Sequence, residues 1–514
     1  GAAHRILGAP VAHGVRGLNP GVALGPRRVL DGAGGEVDPG AIYVLPATPP
    51  GLKPVAGVLA MDEGNLLSHV QLLARNLGIP NASVSPSLLG TLQGAEGREV
   101  FYAVSPLGRV LLEDPANLTD ELRALAASGQ PAAAERYRLD TSRLRLDVVR
   151  PVPLHALRAE QSGVVVGPKA ANLGQLAADF PGRVSRGVAL PFGTFVRHVS
   201  RPFEGSRGTV LEELRAAYDQ AAQMRVAGLA EGEVNALMLE RLAWVRAAIE
   251  GLDWVPEARD QVVEALNATL DGDVSRGVFV RSDTNVEDLP QFSGAGLNLT
   301  VAHQTSVEDV LASIKRVWTS PFSERAYLWR SQVLEDQGDV YPSVLLQQSV
   351  PSERSGVLIT AGLQEGGPDD VTVVTAEGVG GAVEGEDAET LVVGRDGSVR
   401  LLSQAKAARA RELTRGGTRW VVAERPDTLL RPDELAQLLD VVEAWKAKKA
   451  GTPDADTIWD MEFGFVQGRL WLFQIRPFIR YRDSDVYTRL RALDDEALGN
   501  AARVVRLADP VGAR

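Results

Sequence analysis

The sequence predicts a multidomain protein that combines α/β and α+β layers, and three features lead to this prediction. The chain has 514 residues, more than one hydrophobic core supports, since single cores stop growing at about 250 to 300 residues. Short apolar runs alternate with Gly/Pro turns up to residue 113, and a long helical pattern precedes a strand-rich pattern after residue 158. A small mixed domain should therefore precede a larger one.

Changes in composition set the predicted boundaries of these units. Runs such as AIYVLPA and REVFYAV are typical of short strands, whereas ELRALAASGQPAAAERYRL is typical of an exposed helix and a flexible connector. We predict an N-terminal tail, a small domain, a linker, a large domain and a C-terminal helix with a tail, which cover residues 1–16, 17–113, 114–158, 159–480 and 481–514.

Composition excludes several classes of protein. Hydrophobic residues make up 45% of the chain and no apolar run approaches the roughly 18 residues of a membrane span, so we expect no membrane insertion. The net charge of −12 repels nucleic acid phosphates. The chain has no Cys, which excludes disulfides, thiolate nucleophiles and Cys-zinc sites. We expect neither nucleic acid nor membrane partners, and a cytoplasmic location.

The segment GNLLSHVQLLARNLGIP predicts a short helix with His69 in its first turn. Apolar residues at helical spacing follow His69, and a Gly and a Pro end the pattern. Ser68 and Gln71 form a predicted capping box, which places the imidazole beside unpaired backbone N–H groups and the positive end of the helix dipole. This setting disfavours the imidazolium and suits a phosphate, so His69 is a candidate catalytic residue.

Three segments of the large domain predict a nucleotide site. VVVGPKAANLGQL reads as a strand, a Gly-Pro turn and Lys169 ahead of a helix start, where phosphates can bind. In GVFVRSDTNVEDLPQFSGAGLNLTV, Arg281 ends a buried strand, and Ser293 and Gly294 belong to a small-residue loop that can approach phosphates closely. VLLQQSV is a predicted strand whose Gln347 can read an adenine edge.

TIWDMEFGFVQGRLWLFQIRPF predicts a hairpin with polar residues at alternating positions of apolar strands. Asp460 and Glu462 share one face, as do Gln474 and Arg476. Carboxylates and an amide oxygen suit Mg²⁺, and a nearby arginine can neutralise charge on a phosphoryl group in transfer. The three oxygen-bearing residues are therefore candidate metal ligands, and Arg476 is a candidate catalytic residue.

The metal site places a condition on the hairpin. Side chains directly opposite each other lie on the same face, and a regular two-residue turn at Gln467 and Gly468 would pair Glu462 with Phe473. Gln474 would then lie on the far face. We therefore predict an odd-length loop or a bulge that pairs Glu462 with Gln474.

Taken together, these motifs resemble the dikinases that include phosphoenolpyruvate synthase, pyruvate phosphate dikinase, rifampin phosphotransferase and the glucan water dikinases. The resemblance extends from about residue 17 to residue 477. It implies a small swivelling phosphohistidine domain followed by an ATP-grasp domain, with His69 at the phosphorylated position and the linker acting as a hinge. ATP and Mg²⁺ are the implied cofactors.

The resemblance also assigns roles within the large domain. Lys169 and Arg281 would hold ATP phosphates, and Gln347 would lie at the adenine. Glu462 and Gln474 would bind Mg²⁺. These residues and Arg476, which would assist transfer, imply a phosphotransferase that phosphorylates His69 from the ATP β-phosphate, releases AMP and phosphate, and passes the phosphoryl group to an acceptor.

The acceptor and the level of activity stay open. The histidine domain precedes the ATP domain, as in the glucan and phosphoglucan water dikinases, so an α-glucan is the first expectation. A small acceptor such as pyruvate or an antibiotic is the alternative. A non-catalytic ATP-binding scaffold is the third reading, because Gly381 stands where the family has a ribose-binding Glu, unless Glu384 substitutes, and Asn65 interrupts the Gly-rich approach to the histidine.

Overall fold

The fold is described from a computed structural model, and several stretches of the chain lie outside the description. The described residues are 4–7, 9–11, 13–29, 37–45, 53–61, 74, 78–94, 96–129, 136–289, 292–294, 297–363, 367, 369–384, 388–424, 426–478 and 485–499. His69, Ser68, Gln71 and Asn65 lie outside them. Within them, no helix is long and apolar enough to cross a membrane.

The N-terminal unit is a mixed sheet of nine strands in the order β2-β1-β9-β8-β4-β5-β6-β7-β3. Strands β4 to β7 are parallel, and β5, β6 and β7 are buried along their whole length, which agrees with the apolar runs of β5 and β6. The strands are β1 (His4–Ile6), β2 (Ala9–Val11), β3 (Val15–Asn19), β4 (Gly21–Val29), β5 (Ile42–Leu45), β6 (Gly57–Ala60), β7 (Asn81–Val84), β8 (Glu99–Val104) and β9 (Val110–Glu113).

Part of the predicted N-terminal tail forms strands of the sheet instead. Residues 4–6 and 9–11 form β1 and β2, and β1 pairs in parallel with β9 at the edge of the sheet. Each of these strands has only three residues, too few to show a periodicity, and the partner strand lies about 100 residues away along the chain. Edge pairing of this kind depends on tertiary contact and not on local pattern.

Helices from both ends of the chain complete the N-terminal unit. The helices whose bounds the described part of the chain gives are α1 (Leu89–Gln93), α2 (Asp120–Gly129) and, after the large unit, the C-terminal α12 (Asp485–Gly499). Leu125 of α2 and Leu490 of α12 share a buried cluster with Phe101 of β8. The buried carboxylate of Asp494 accepts the N–H of Leu107 at 2.9 Å. The start of the predicted linker and the C-terminal helix therefore belong to the small unit.

The first half of the large unit is an antiparallel sheet of five strands in the order β10-β11-β16-β12-β15. One face packs on helices through a core that includes Trp318. The elements are β10 (Val152–Pro153), α3 (Pro168–Asp179), β11 (Gly187–Leu190), α4 (Phe192–Val199), α5 (Val210–Val226), α6 (Glu231–Gly251), α7 (Pro256–Leu270), β12 (Val278–Thr284), the hairpin β13 (Asp288–Leu289) and β14 (Phe292–Ser293), β15 (Thr300–Gln304), α8 (Val307–Thr319), α9 (Glu324–Ser331) and β16 (Pro342–Gln348).

The second half is an antiparallel sheet of six strands in the order β20-β19-β18-β17-β23-β24. It shares one core with the first half, in which Leu173 of α3 and Leu345 of β16 meet Phe463 of β23 and Leu472 of β24. The elements are β17 (Arg354–Ile359), β18 (Val371–Glu377), α10 (Gly381–Glu384), β19 (Glu389–Val393), β20 (Val399–Ser403), the hairpin β21 (Arg409–Thr414) and β22 (Gly417–Val422), α11 (Pro432–Lys449), β23 (Trp459–Val466) and β24 (Arg469–Pro477).

The small unit is docked on the large one. Tyr43 and Ala74 of the small unit pack with Leu297 and Trp329 of the large unit in one buried cluster. Lys53 of the small unit and Glu324 of the large unit form an ion pair of 2.8 Å, and both are close in sequence to residues of this cluster. The arrangement confirms the predicted multidomain fold of mixed α/β and α+β class, with a small unit ahead of a large one.

Candidate functional site

A cleft of about 1030 Å³, counted out to open solvent, lies between the two sheets of the large unit. Six of the residues predicted from the sequence line it together, namely Lys169, Arg281, Gln347, Glu462, Gln474 and Arg476. The remaining wall is largely apolar and includes Phe279, Val350, Val379 and Phe473. An apolar cleft with a few converging polar groups is the usual form of a small-ligand site.

Arg281 lies at the centre of the cleft. The sequence suggested that Arg281 ends a strand, but it lies in the middle of β12. Its side chain is 11% exposed. Its Nη1 donates to Gln347 Oε1 at 2.9 Å and to the carbonyl of Phe473 at 2.8 Å. Its Nη2 donates to Glu462 Oε2 at 3.2 Å and to Gln474 Oε1 at 2.8 Å. Arg281 therefore links the two sheets across the cleft.

The predicted bulge in the C-terminal hairpin is confirmed. Val466 pairs with Arg469 around a two-residue turn with positive φ at Gln467 and Gly468, which is the tight turn that suits a hairpin. The register then shifts next to Glu462, which pairs with Gln474 and leaves Phe473 as the extra residue. Because directly opposite residues share a face, the bulge brings both side chains into the cleft.

The helix start near Lys169 differs from the prediction. Lys169 is the second residue of α3, and the buried carboxylate of Asp283 accepts its N–H at 2.8 Å and that of Ala170 at 3.2 Å. The hydroxyl of Ser343 accepts the N–H of Gly167 at 3.0 Å. A carboxylate from β12 thus caps the helix, so these backbone groups do not face the cleft as a phosphate site.

Lys169 contributes its side-chain ammonium to the cleft and not its backbone N–H. Its Nζ donates to Glu287 Oε1 at 2.6 Å and to the carbonyl of Ser282 at 2.9 Å, with the Glu287 side chain 3% exposed. Burial raises the pKa of Asp283 to about 7, and the charge of Glu287 adds to this rise, while Lys169 opposes it. Lys169 is therefore held by two carboxylates that the sequence analysis did not name.

Alternation along β12 could have identified one of these carboxylates. Successive side chains of a strand point to opposite faces, so the pattern that places Arg281 at the cleft also places Asp283 on that side. Glu287 lies beyond the strand, and its position depends on the turn that follows β12, which carries no comparable pattern.

Arg476 and Asp460 form a buried ion pair. Arg476 Nε donates to Oδ2 of Asp460 at 2.9 Å, and Nη2 lies 2.8 Å from the same oxygen. Arg476 and Asp460 are 6% and 2% exposed. Burial raises the pKa of Asp460, Arg476 opposes the rise and Glu462 adds to it. Asp460 does not line the cleft, so the structure does not support its predicted place among the metal ligands.

Of the two residues predicted for a phosphate loop, Gly294 does not line the cleft, and the side chain of Ser293 lies outside the described residues. Ser293 ends the short β13–β14 hairpin and Gly294 follows it, and the N–H of Gly294 donates to the carbonyl of Glu287 at 2.6 Å. A Cβ at Gly294 would come within 3.3 Å of that carbonyl oxygen. The small residue therefore allows a close backbone approach to the segment that carries Glu287.

The GVGG segment forms another wall of the cleft through Val379 and Gly380. Ser355, which the sequence analysis missed, donates to the carbonyl of Gly378 at 2.7 Å and accepts the N–H of Gly380 at 2.8 Å. Gly378 has a φ of 81°, and a Cβ there would lie 2.3 Å from the carbonyl oxygen of Arg411. Gly381 begins α10, and the side chain of Glu384 lies outside the described residues.

The oxygen donors fit a hard divalent cation. The described residues contain no group of three or more His, Cys, Asp or Glu side chains able to hold a metal. Glu462 and Gln474 nevertheless direct one oxygen each at the same Nη2 of Arg281, so both oxygens already converge on a cationic group. One carboxylate and one amide oxygen are suitable ligands for Mg²⁺ when phosphate oxygens and water complete the shell.

Comparison with known proteins identifies the class of the large unit. The family described as "Pyruvate phosphate dikinase, AMP/ATP-binding domain" matches residues 164–494. The chain is 28% identical over 43% of its length to a probable phosphoenolpyruvate synthase of Pyrococcus abyssi (strain GE5 / Orsay), of which it covers 29%. It is 28% identical over 63% of its length to a rifampicin phosphotransferase of Streptomyces sp, of which it covers 36%. The chain thus spans about a third of each relative.

Proposed function

We propose that this chain, which belongs to the pyruvate phosphate dikinase AMP/ATP-binding domain family, binds ATP in the cleft and transfers its β-phosphoryl group to His69. AMP leaves with the bond broken between the α- and β-phosphates, and the γ-phosphate passes to water as inorganic phosphate. The observation that carries the proposal is the convergence of Lys169, Arg281 and Arg476 on one cleft that also holds the Glu462 and Gln474 oxygens.

We assign the adenine base of ATP to the apolar part of the cleft. Phe279 and Phe473 supply aromatic contact area, and Gln347 supplies one hydrogen-bond donor. Arg281 donates to Gln347 Oε1, and no group in the described part of the chain accepts a hydrogen bond from the buried Nε2 of Gln347. A ring nitrogen of adenine is a suitable acceptor. The phosphates are assigned to Lys169 and Arg281.

Glu462 and Gln474 are proposed to hold Mg²⁺, and their convergence on one cation supports this assignment. When bound, Mg²⁺ would neutralise charge on the phosphate oxygens during transfer. Arg476 faces the cleft and is oriented by Asp460, so we propose that it contacts the transferring phosphoryl group. Asp460 acts as a positioning residue for that guanidinium.

Docking of the small unit supports His69 as the nucleophile. Ala74 lies five residues after His69 in the sequence and packs in the same buried cluster as Leu297. Asn298, which follows Leu297, lines the cleft. We propose that the histidine-bearing unit receives the phosphoryl group near this docked position and then delivers it elsewhere. The connection between α2 and β10, within the predicted linker 114–158, is the proposed hinge.

A small molecule is proposed as the final acceptor, because the similar proteins are named for phosphoenolpyruvate and rifampicin. An α-glucan is the second candidate and rests on the order of the two units along the chain.

Product analysis tests the proposed reaction. Purified protein with ATP and Mg²⁺ should release AMP and phosphate in equal amounts, in a burst of about one equivalent when no acceptor is present. Formation of ADP as the first nucleotide product would contradict the β-phosphoryl transfer. ATP binding detected by calorimetry without any AMP would favour the non-catalytic scaffold instead.

A further inference from the structure

Arg281 occupies the place in which the two metal-ligand oxygens meet. Its Nη2 lies 3.2 Å from Glu462 Oε2 and 2.8 Å from Gln474 Oε1. Its Nη1 is bound to Gln347 and to the carbonyl of Phe473. The two Nη atoms of a guanidinium carry four hydrogens, so these four acceptors use all of them. The guanidinium therefore bridges the oxygen pair in a fixed position.

The same three side chains cannot serve a divalent cation and this guanidinium together. A metal between Glu462 and Gln474 would lie within contact distance of a like charge, and the Arg281 and Glu462 side chains are only 11% and 13% exposed, so water and salt screen the repulsion weakly. Arg281 must also leave these acceptors before either Nη group can donate to a phosphate. One movement of Arg281 thus opens the oxygen pair and frees the phosphate-binding donors.

We infer that Arg281 keeps the Glu462–Gln474 oxygen pair closed to free divalent cations until nucleotide phosphates draw its guanidinium away. Metal and nucleotide then bind together, and metal without nucleotide binds weakly. The inference rests on the proposed metal role of Glu462 and Gln474. It adds that Arg281 determines the order of binding, since one residue competes with the metal and attracts the phosphates.

The test measures Mn²⁺ binding by electron paramagnetic resonance in the absence of nucleotide. Mn²⁺ prefers the same oxygen ligands as Mg²⁺. Wild-type protein should bind Mn²⁺ weakly, and Arg281→Met should bind it at least about tenfold more tightly, because one charge-assisted contact with the ligand pair is worth roughly that factor. Arg281→Met/Glu462→Gln should lose the gain, which shows that the added affinity uses Glu462.

Two controls separate the possible failures. Lys169→Met removes another cation of the cleft, whose ammonium contacts Glu287 and Ser282, and its effect measures loss of positive charge alone. Wild-type and Glu462→Gln proteins are also compared with Mn²⁺ and a non-hydrolysable ATP analogue. If Arg281→Met folds poorly by thermal melting, Arg281→Gln replaces it, because a glutamine removes the positive charge and retains a polar side chain among the same acceptors.

Each outcome decides one point. No tightening in the Arg281 variants, with Mn²⁺ in the nucleotide complex still dependent on Glu462, would overturn the inference and leave the metal site intact. Equal tightening in Lys169→Met would also overturn it, since charge alone would then explain the gain. No dependence on Glu462 under any condition would remove the proposed metal site itself.

Discussion

The buried pair of Asp460 and Arg476 offers a prediction in which stability and activity respond differently. Asp460→Ala removes the carboxylate that accepts a hydrogen bond from Arg476 Nε and forms an ion pair with its Nη2, and Arg476 is only 6% exposed. Breaking a buried pair by removing one partner costs about 3–5 kcal/mol, because the remaining charge stays in a site of low polarity. We expect the large unit to lose about this much free energy of unfolding.

A double variant gives the matched comparison. Replacing both partners by apolar residues of similar volume is often close to neutral, so Asp460→Leu/Arg476→Met should recover most of the lost stability. Because Arg476 faces the cleft, the double variant should still fail to phosphorylate His69. Recovery of stability without recovery of activity would show that the pair positions a functional guanidinium and does not simply stabilise the fold.

Urea unfolding followed by tryptophan fluorescence measures this difference. All eight Trp residues lie between positions 244 and 471, so the signal reports the large unit and not the small one. A loss below about 1 kcal/mol in Asp460→Ala would refute the reasoning, since that is the size expected of an exposed ion pair. A double variant as unstable as the single one would refute it equally.

Two further predictions concern other parts of the molecule. Burial raises the pKa of Asp283 from 3.8 to about 7, so its contribution to stability is complete below pH 3.8 and is lost as the pH rises through about 7. Asp283→Asn should flatten the decline of urea midpoints between pH 4 and pH 7, and an unchanged slope would contradict this. Leu490→Ala in the C-terminal helix should cost about 2–5 kcal/mol in the small unit, because the side chain is 1% exposed. Amide hydrogen exchange should accelerate in β4 and β8 while the tryptophan transition stays unchanged, and a shifted tryptophan transition would show that the helix stabilises the large unit instead.

The sequence predicts much of the cleft because its residues follow local patterns. Alternation in the C-terminal hairpin places Glu462 and Gln474 on one side, provided that a bulge is present, and the structure has the bulge. The strand segment around Arg281 likewise predicts a site residue, but the sequence places Arg281 at the end of that strand, whereas it lies in the middle of β12. In these cases the position of a side chain depends on the strand that carries it.

The errors arise where position depends on contacts between distant segments. Asp283 caps a helix that begins more than a hundred residues earlier, and α12 packs on the first unit of the chain. Neither contact has a signature in the local sequence. A glycine such as Gly294 is expected both in a phosphate-binding loop and at a close contact between backbone segments, since both need a residue without a side chain. The sequence does not distinguish these two roles, and the tertiary structure shows the backbone contact.

Transfer of the β-phosphoryl group to His69 is the central claim, and labelling of the protein tests it most directly. Label from ATP carrying ³²P at the β position should appear on the protein as an acid-labile, base-stable adduct, and label at the γ position should leave as phosphate. His69→Ala should abolish labelling while ATP binding is retained, because the cleft and the histidine belong to different units. Retained β-label in His69→Ala, or γ-label on the wild-type protein, would contradict the account.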